Sequence, residues 1–325
     1  MRSHKFKYDV IAIGDTSQDI FCELEKAKVM CDKSHDHCYL GVSFADKVPM
    51  TALHYTIGGN ACNNAVGSAR LGLKAALYTT IGNDQTGERI SVELKKEKVS
   101  KEYVVLDKKR PSNVSVVLNY HTERTILIYH EHREYKMPNF SHSRWIYLTS
   151  LGRDFRKIHK PLLAYLKLHP AIKVMFNPGT HQLNAGLAEL KPLIARAEVF
   201  IVNKEEAAGL LGLEDHIDIE KMMAEFRQMG CPYVIITDGP KGAYAFNGRK
   251  VFFQRPVPSK TIERTGAGDS FGTGVLAAFF YGKELPETLL WGSANAASVI
   301  EQIGPQAGLL TKPQLLARLR GSKKK

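Results

Sequence analysis

With 325 residues and 44% hydrophobic content the chain can bury one large core, and α/β folds of this length are often a single domain. No stretch approaches the roughly 18 consecutive apolar residues that span a bilayer, and the opening MRSHKFKYDVIAIG breaks at Gly14 before a secretory leader could form, so a cytoplasmic protein is expected. Lysine and arginine outnumber acids 45 to 33, a formal charge of +12 that favours anionic partners such as nucleotide phosphates, while the lack of basic stretches interleaved with aromatics argues against nucleic acid.

From the amino end, YDVIAIG reads as a first strand, and residues 20–57 hold strand-like runs with few helical ones. Within that stretch Cys31, His35, His37 and Cys38 offer zinc-type ligands, but their spacing matches no usual structural zinc pattern, and CDKSHDHC is expected to be a polar loop joining two strands. All five cysteines, Cys22, Cys31, Cys38, Cys62 and Cys231, are expected as free thiols, because the count is odd and the spacing sparse. NNAVGSARLG has a helical pattern, AALYTTIG that of a strand, and GERISVELKKE that of a helix. SVVLNY and RTILIYH read as a hairpin turning at Asn119 to Glu123. Then RWIYLTS, IKVMFN, VFIVN, YVIITDG and AYAFNG read as strands, with FRKIHKPLLAYLKLH and IEKMMAEFRQMG as helices among them.

Strands alternating with helices predict a three-layer α/β/α body around a mostly parallel sheet. The alternation lapses at about 20–57 and 104–136, where extra strands are expected to form a small β lid over the ligand edge. The body is thus one domain over residues 1–312. Thr311, Pro313 and Gly321 bracket KPQLLARLR as a short terminal helix, and Arg318, Arg320, Lys323, Lys324 and Lys325 are expected in a frayed basic end.

Thr265-Gly266-Ala267-Gly268-Asp269 leads into the helical run SFGTGVLAAFFYG. Glycines ahead of a helix let backbone N–H groups converge on an anion, and an Asp in the first turn is held ionised and able to take a proton from an alcohol. An ordinary Asp cap after a glycine turn is the plainer alternative. Gly58-Gly59-Asn60-Ala61-Cys62-Asn63-Asn64 is a second glycine turn entering a helix, with amides suited to a polyol or to simple capping. Asp19, in GDTSQD after the first strand, suits two sugar hydroxyls or a water-exposed turn. Asn203 and Glu206, three apart after VFIVN, suit either the water shell of a magnesium ion or a capping box. Thr237-Asp238-Gly239-Pro240-Lys241-Gly242 is a nucleotide-facing turn or only a hairpin.

Taken in order, these elements resemble the ribokinase-like, PfkB-type carbohydrate kinases over roughly residues 8 to 310, with GGNACNNAVGSARLG and TGAGDSFGTGVLAAF as the specific motifs. The resemblance implies ATP-dependent phosphorylation of a primary hydroxyl on a sugar such as ribose or a ketose, or on a nucleoside, without a P-loop. It implies Asp269 as base with Gly266, Ala267 and Gly268 as anion hole, and Asp19, Gly59, Asn60 and Asn63 on the sugar. Asn203, Thr237, Gly239, Gly242 and Asn295 fall at the nucleotide, and Glu206 at magnesium through water. A homodimer joined through the lids is common in such proteins.

Two departures stand out. Where the resemblance expects an acid just before the Thr of the glycine motif, one that helps hold a monovalent cation in several members, this chain has Arg264. A guanidinium near the anion hole could replace that charge, so potassium is expected to be dispensable. After RTILIYH, His130-Glu131-His132-Arg133 replaces small residues and is expected to reshape the substrate pocket, while Arg124 either approaches substrate from the lid or lies solvated on its strand.

Overall fold

The computed structural model describes residues 6–32, 38–121, 123–213 and 218–322. In chain order the first half contains β1 (Tyr8–Ile13), β2 (Ser17–Leu24), β3 (Lys28–Cys31), β4 (Cys38–Gly41), β5 (Met50–Gly58), α1 (Asn60–Arg70), β6 (Ala75–Gly82), α2 (Gln85–Lys96), β7 (Ser100–Asp107), β8 (Asn113–Tyr120), β9 (Glu123–Tyr129) and β10 (Ser143–Leu148). The second half continues with α3 (Arg156–Leu168), β11 (Lys173–Phe176), α4 (Thr180–Asn184), α5 (Leu187–Arg196), β12 (Val199–Asn203), α6 (Lys204–Leu211), α7 (Ile219–Gln228), β13 (Tyr233–Thr237), β14 (Ala243–Phe246), β15 (Val251–Gln254), α8 (Ala267–Phe280), α9 (Leu285–Val299) and α10 (Lys312–Ser322).

Nine strands form the main sheet in the order β15-β14-β13-β12-β11-β10-β1-β6-β7, parallel from β13 to β7, with β14 and β15 antiparallel at one edge. The two-residue side-chain period of β1 explains the layers. Val10 and Ala12 face one core with Val66, Leu276 and Leu289 of α1, α8 and α9. Ile11 and Ile13 face the other, with Leu162, Leu193 and Phe226 of α3, α5 and α7. Helices cover both faces, which is why the central strands read as continuous apolar runs.

A smaller sheet, β5-β2-β8-β9, leaves the main one just past β1. β2 and β8 run parallel and the outer pairs antiparallel. It spans Ser17–Leu24, Met50–Gly58, Asn113–Tyr120 and Glu123–Tyr129, whereas Ser100–Asp107 joins the edge of the main sheet. Asp84 anchors it. Its carboxylate caps α2 through the Gly87 N–H (2.8 Å) and accepts from both the N–H and the hydroxyl of Ser112 (2.7 Å each), at the entrance to β8.

The free-thiol expectation is corrected at one place. β3 and β4 pair with Cys31 opposite Cys38, and the two are disulfide-bonded, leaving Cys22, Cys62 and Cys231 as buried free thiols. Hairpin register decides this pairing, and a cysteine count cannot see register. His35 and His37 lie outside the described residues, and among the described residues no His, Cys, Asp and Glu cluster is arranged to hold a metal ion. The basic end is also more ordered than expected. Leu315 and Leu319 of α10 are buried, and Arg318 grips Glu301 with two hydrogen bonds of 2.8 and 2.9 Å; Lys323 to Lys325 lie outside the described residues. Among the described residues no helix is long and apolar enough to cross a membrane.

Candidate active site

Two helix starts meet at the carboxyl ends of the strands. α8 begins after Gly266, whose φ of +80° and close approach to Pro305 exclude a side chain. The Ala267 amide closes the turn onto the Arg264 carbonyl (3.3 Å), and no side chain caps the helix. An uncapped helix start leaves N–H groups and the positive end of the dipole for an anion. Asp269 follows in the first turn, half-buried. Burial pushes its carboxyl up to about 6; a hydrogen bond from Asn63 opposes that rise, and the nearby charges of Asp19 and Glu206 add to it.

Asn63 comes from α1. Its Nδ2 donates to Asp269 Oδ2 (2.8 Å), and its Oδ1 accepts from Gln306 Nε2 (3.0 Å). Both ends of the amide are therefore committed, and its orientation is fixed by Gln306. Asn63, expected among the sugar contacts, holds the Asp269 carboxylate instead. Asn64 adds a stitch between the two helices by donating to Thr273 Oγ1 (3.1 Å), which itself donates to the Asp269 carbonyl (2.7 Å).

Asp19 of β2 is buried, and desolvation raises its pKa against hydrogen bonds from Ser17 and Ser115. A side chain at Gly58 would fall on its carboxylate. Gly59 and Asn60 form the half-buried start of α1 beside it. Asp15, in the same turn, accepts from the Tyr135 hydroxyl (2.6 Å) and the Gly152 amide (2.9 Å), and so fixes the wall rather than offering a contact.

A cavity of about 490 Å³ adjoins the α8 start. Thr237, Gly239, Gly242, Val257, Phe271 and Ala297 line it together with Ala267 and Gly268. Its apolar walls suit a base and its glycine turns suit phosphates. Asn203 and Glu206 stand at the neighbouring strand end, with Asn203 opposite Thr237 in register. They form a full capping box for α6: Asn203 Oδ1 accepts from the Glu206 amide (2.7 Å), and Glu206 Oε2 accepts from the Asn203 amide (2.9 Å). The second Glu206 oxygen is not used by the box, and burial raises the carboxyl's pKa.

Three expectations need correction. The Asn295 side chain does not face the nucleotide cavity. It is fully enclosed, donates to the Ser270 carbonyl (2.7 Å) and accepts from the Leu310 amide (3.1 Å), while its neighbours Ala296 and Ala297 line the cavity. Arg264 lies on the cavity rim, but its guanidinium pairs with Glu123 at 3.4 Å in an exposed setting, so it does not stand in for a cation beside the α8 start. The enclosed acid is Glu263, one residue earlier, which sequence reading missed; an acid two positions before Thr-Gly was the available clue. The basis for expecting potassium to be dispensable is thereby removed. Of His130 to Arg133, only His130 is a candidate to reshape the substrate side, and desolvation together with the nearby Arg133 charge lowers its pKa. Arg133 is enclosed and bonded to Asp107, the Pro111 carbonyl and Asn113, His132 pairs with Asp154 at an exposed site, and Glu131 accepts from Tyr129. Arg124 points to Glu263, at 3.7 Å.

Comparison with known proteins agrees with this geometry. The family model described as pfkB family carbohydrate kinase matches residues 29–312. An uncharacterized sugar kinase of Archaeoglobus fulgidus is 25% identical over 75% of this chain and 98% of its own length. The nucleoside kinase of Methanocaldococcus jannaschii is 27% identical over 84% of this chain and 88% of its own, and its crystal structure superposes with a TM-score of 0.77 over 96% and 98%. Ribokinase of Arabidopsis thaliana, solved with ribose and ATP, is 19% identical and superposes at 0.76 over 96% and 99%. With a half-buried aspartate at an uncapped helix start, a nucleotide-sized cavity beside it and a family match over most of its length, the chain belongs to the pfkB family of carbohydrate kinases, phosphotransferases with an alcohol group as acceptor.

Proposed function

We propose that this chain transfers the γ-phosphoryl group of ATP to a primary hydroxyl of a sugar such as ribose or a ketose, with Asp269 as general base. One observation carries the reading: the half-buried Asp269 carboxylate sits between the α1 and α8 starts and is held in one orientation by the Asn63 amide at 2.8 Å, in surroundings that raise its pKa to about 6. A base of that pKa is ionised at neutral pH yet basic enough to take a proton as the alcohol attacks. Asp19, Gly59 and Asn60 bind sugar hydroxyls beside it. The turn Gly266 to Gly268 faces the phosphoryl oxygens, where charge develops in transfer.

The donor set fits a nucleotide with magnesium. Thr237, Gly239 and Gly242 supply the cavity wall, and the remaining oxygen of Glu206 would hold the ion's water shell, with the Asn203 amide fixing that carboxylate. Magnesium would neutralise charge on the phosphate oxygens there. The small sheet serves as a lid that excludes water from the reacting groups. Ile126, Leu127, Ile128 and Tyr129 leave both faces of β9 apolar and exposed, a surface suited to a second copy of the chain. A nucleoside acceptor is the second reading, favoured by the likeness to the Methanocaldococcus jannaschii nucleoside kinase.

ADP release from MgATP is the test, run across pentoses, ketoses, sugar acids and nucleosides with Asp269→Asn alongside. Substrate-dependent release that the variant loses by about 10² to 10⁴ is expected. Wild-type turnover in the variant would refute the assignment of the base.

A further inference from the structure

The loop entering α8 carries a second buried carboxylate that the proposed chemistry does not use. Glu263 is only 5% exposed. Its Oε1 accepts from the Thr265 amide (2.7 Å) and hydroxyl (2.6 Å), which fixes the backbone immediately before Gly266. Its Oε2 is enclosed without a hydrogen-bond partner. Arg124 of β9 faces it, with Nε 3.7 Å from Oε1, inside ion-pair range and short of a hydrogen bond. Opposite Arg124 in register stands Asn119 of β8, whose Nδ2 donates to Glu23 (2.7 Å) and whose Oδ1 is also enclosed and unpartnered. Glu263, Arg124, Asn119 and Glu23 line one cavity of about 170 Å³ where the small sheet meets the loop.

A buried carboxylate with half its acceptors unmet is unfavourable, and a guanidinium fork is the group that satisfies both oxygens at once. We infer that Arg124 is the positioning cation of the loop from Thr265 to Gly268. As the small sheet settles onto the body, the guanidinium spans both Glu263 oxygens and the loop is held for the phosphoryl group. When the sheet lifts, Glu263 loses its counter-charge and the loop slackens. Closure over the acceptor is thereby coupled to the geometry of phosphoryl transfer through a residue that touches neither substrate. The inference rests on reading that loop as the phosphoryl site.

Hydrogen exchange and kinetics test it separately. Arg124→Gln should weaken exchange protection of residues 263–268 on the order of tenfold, whereas Arg264→Gln, which breaks only the exposed pair with Glu123, should not. In ADP release, Arg124→Gln should lower kcat by up to about 10² with KM for ATP unchanged, the scale of loss from a misplaced reacting group. Added guanidinium ion should restore part of it, and Glu263→Gln in the Arg124→Gln background should cost little more. Arg124→Lys keeps a charge without the fork and should fall between the wild type and Arg124→Gln, which separates positioning from general damage to the fold. Unchanged protection at 263–268, or fully additive losses in the double variant, would overturn the inference. Should the wild type release no ADP with any acceptor, the kinase reading falls, while the exchange comparison still decides the role of Arg124.

Discussion

Replacing Asn63 by leucine tests how the base is tuned. Leucine keeps the branched outline of asparagine, though it is bulkier, and it removes the 2.8 Å hydrogen bond that opposes the raised pKa of Asp269, leaving burial, Asp19 and Glu206 pushing upward. A hydrogen bond to a charged group contributes about 1.5 to 3 kcal/mol. At 1.36 kcal/mol per decade, the acid limb of kcat should move up by roughly one to two pH units. With Asp269 as the base, that limb is expected at about 6 in the wild type. In Asn63→Leu it should lie near 7 to 8, so the variant loses roughly two- to tenfold of its rate at neutral pH and recovers it at about pH 9. The assay is kcat against pH at saturating substrates. Recovery at high pH separates a titration effect from damage to the site. A limb that stays at about 6 in a folded variant would show that Asn63 does not set the base's affinity for its proton.

Two other outcomes are expected. Asp269→Asn should stabilise the protein while silencing it. The folded carboxyl titrates at about 6 against an ordinary 3.8, so between those values the native state binds more protons than the unfolded one, and stability falls as pH rises through that window. The deficit at neutral pH is on the order of 3 kcal/mol, which the neutral amide relieves; a melting temperature at or below wild type at pH 7, with no gain over wild type there relative to pH 4, would contradict it. Gly266→Ala should cost about 1 to 2 kcal/mol from the left-handed backbone alone, with further loss against Pro305, and should reduce kcat more than ATP affinity, as melting and kinetics on the same sample would show.

The main strands were legible because burial on both faces makes them apolar runs, and α2, α3 and α7 because only one face of each is buried. α9 gave a weak pattern for the opposite reason: most of Leu285–Val299 is buried, packed against α8, α10, β14 and β15, so no polar stripe marks its period. Asp269 and Asp19 could be singled out only because their glycine-rich surroundings occur together and in order, since a helix cap or a turn accounts for either one alone. The partners that tune them could not. Gln306 lies 243 residues from Asn63, and Arg124 meets Glu263 only because β8 and β9 turn back over the body. Arg264 and Glu263 show the same limit at short range, since adjacent residues on a loop point to solvent and to the interior, and only the backbone path decides which.

The capping box at Asn203 and Glu206 changes what a surviving motif can tell. Each of these side chains holds the other's backbone at the start of α6, so folding alone rewards keeping them. Asp269 has the opposite standing: its raised pKa burdens the fold, and with the proposed role as base it is worth retaining only while the reaction is. A descendant that abandoned catalysis would keep its Asn-Lys-Glu-Glu and lose its aspartate first, which makes that one carboxylate the informative mark of a working enzyme.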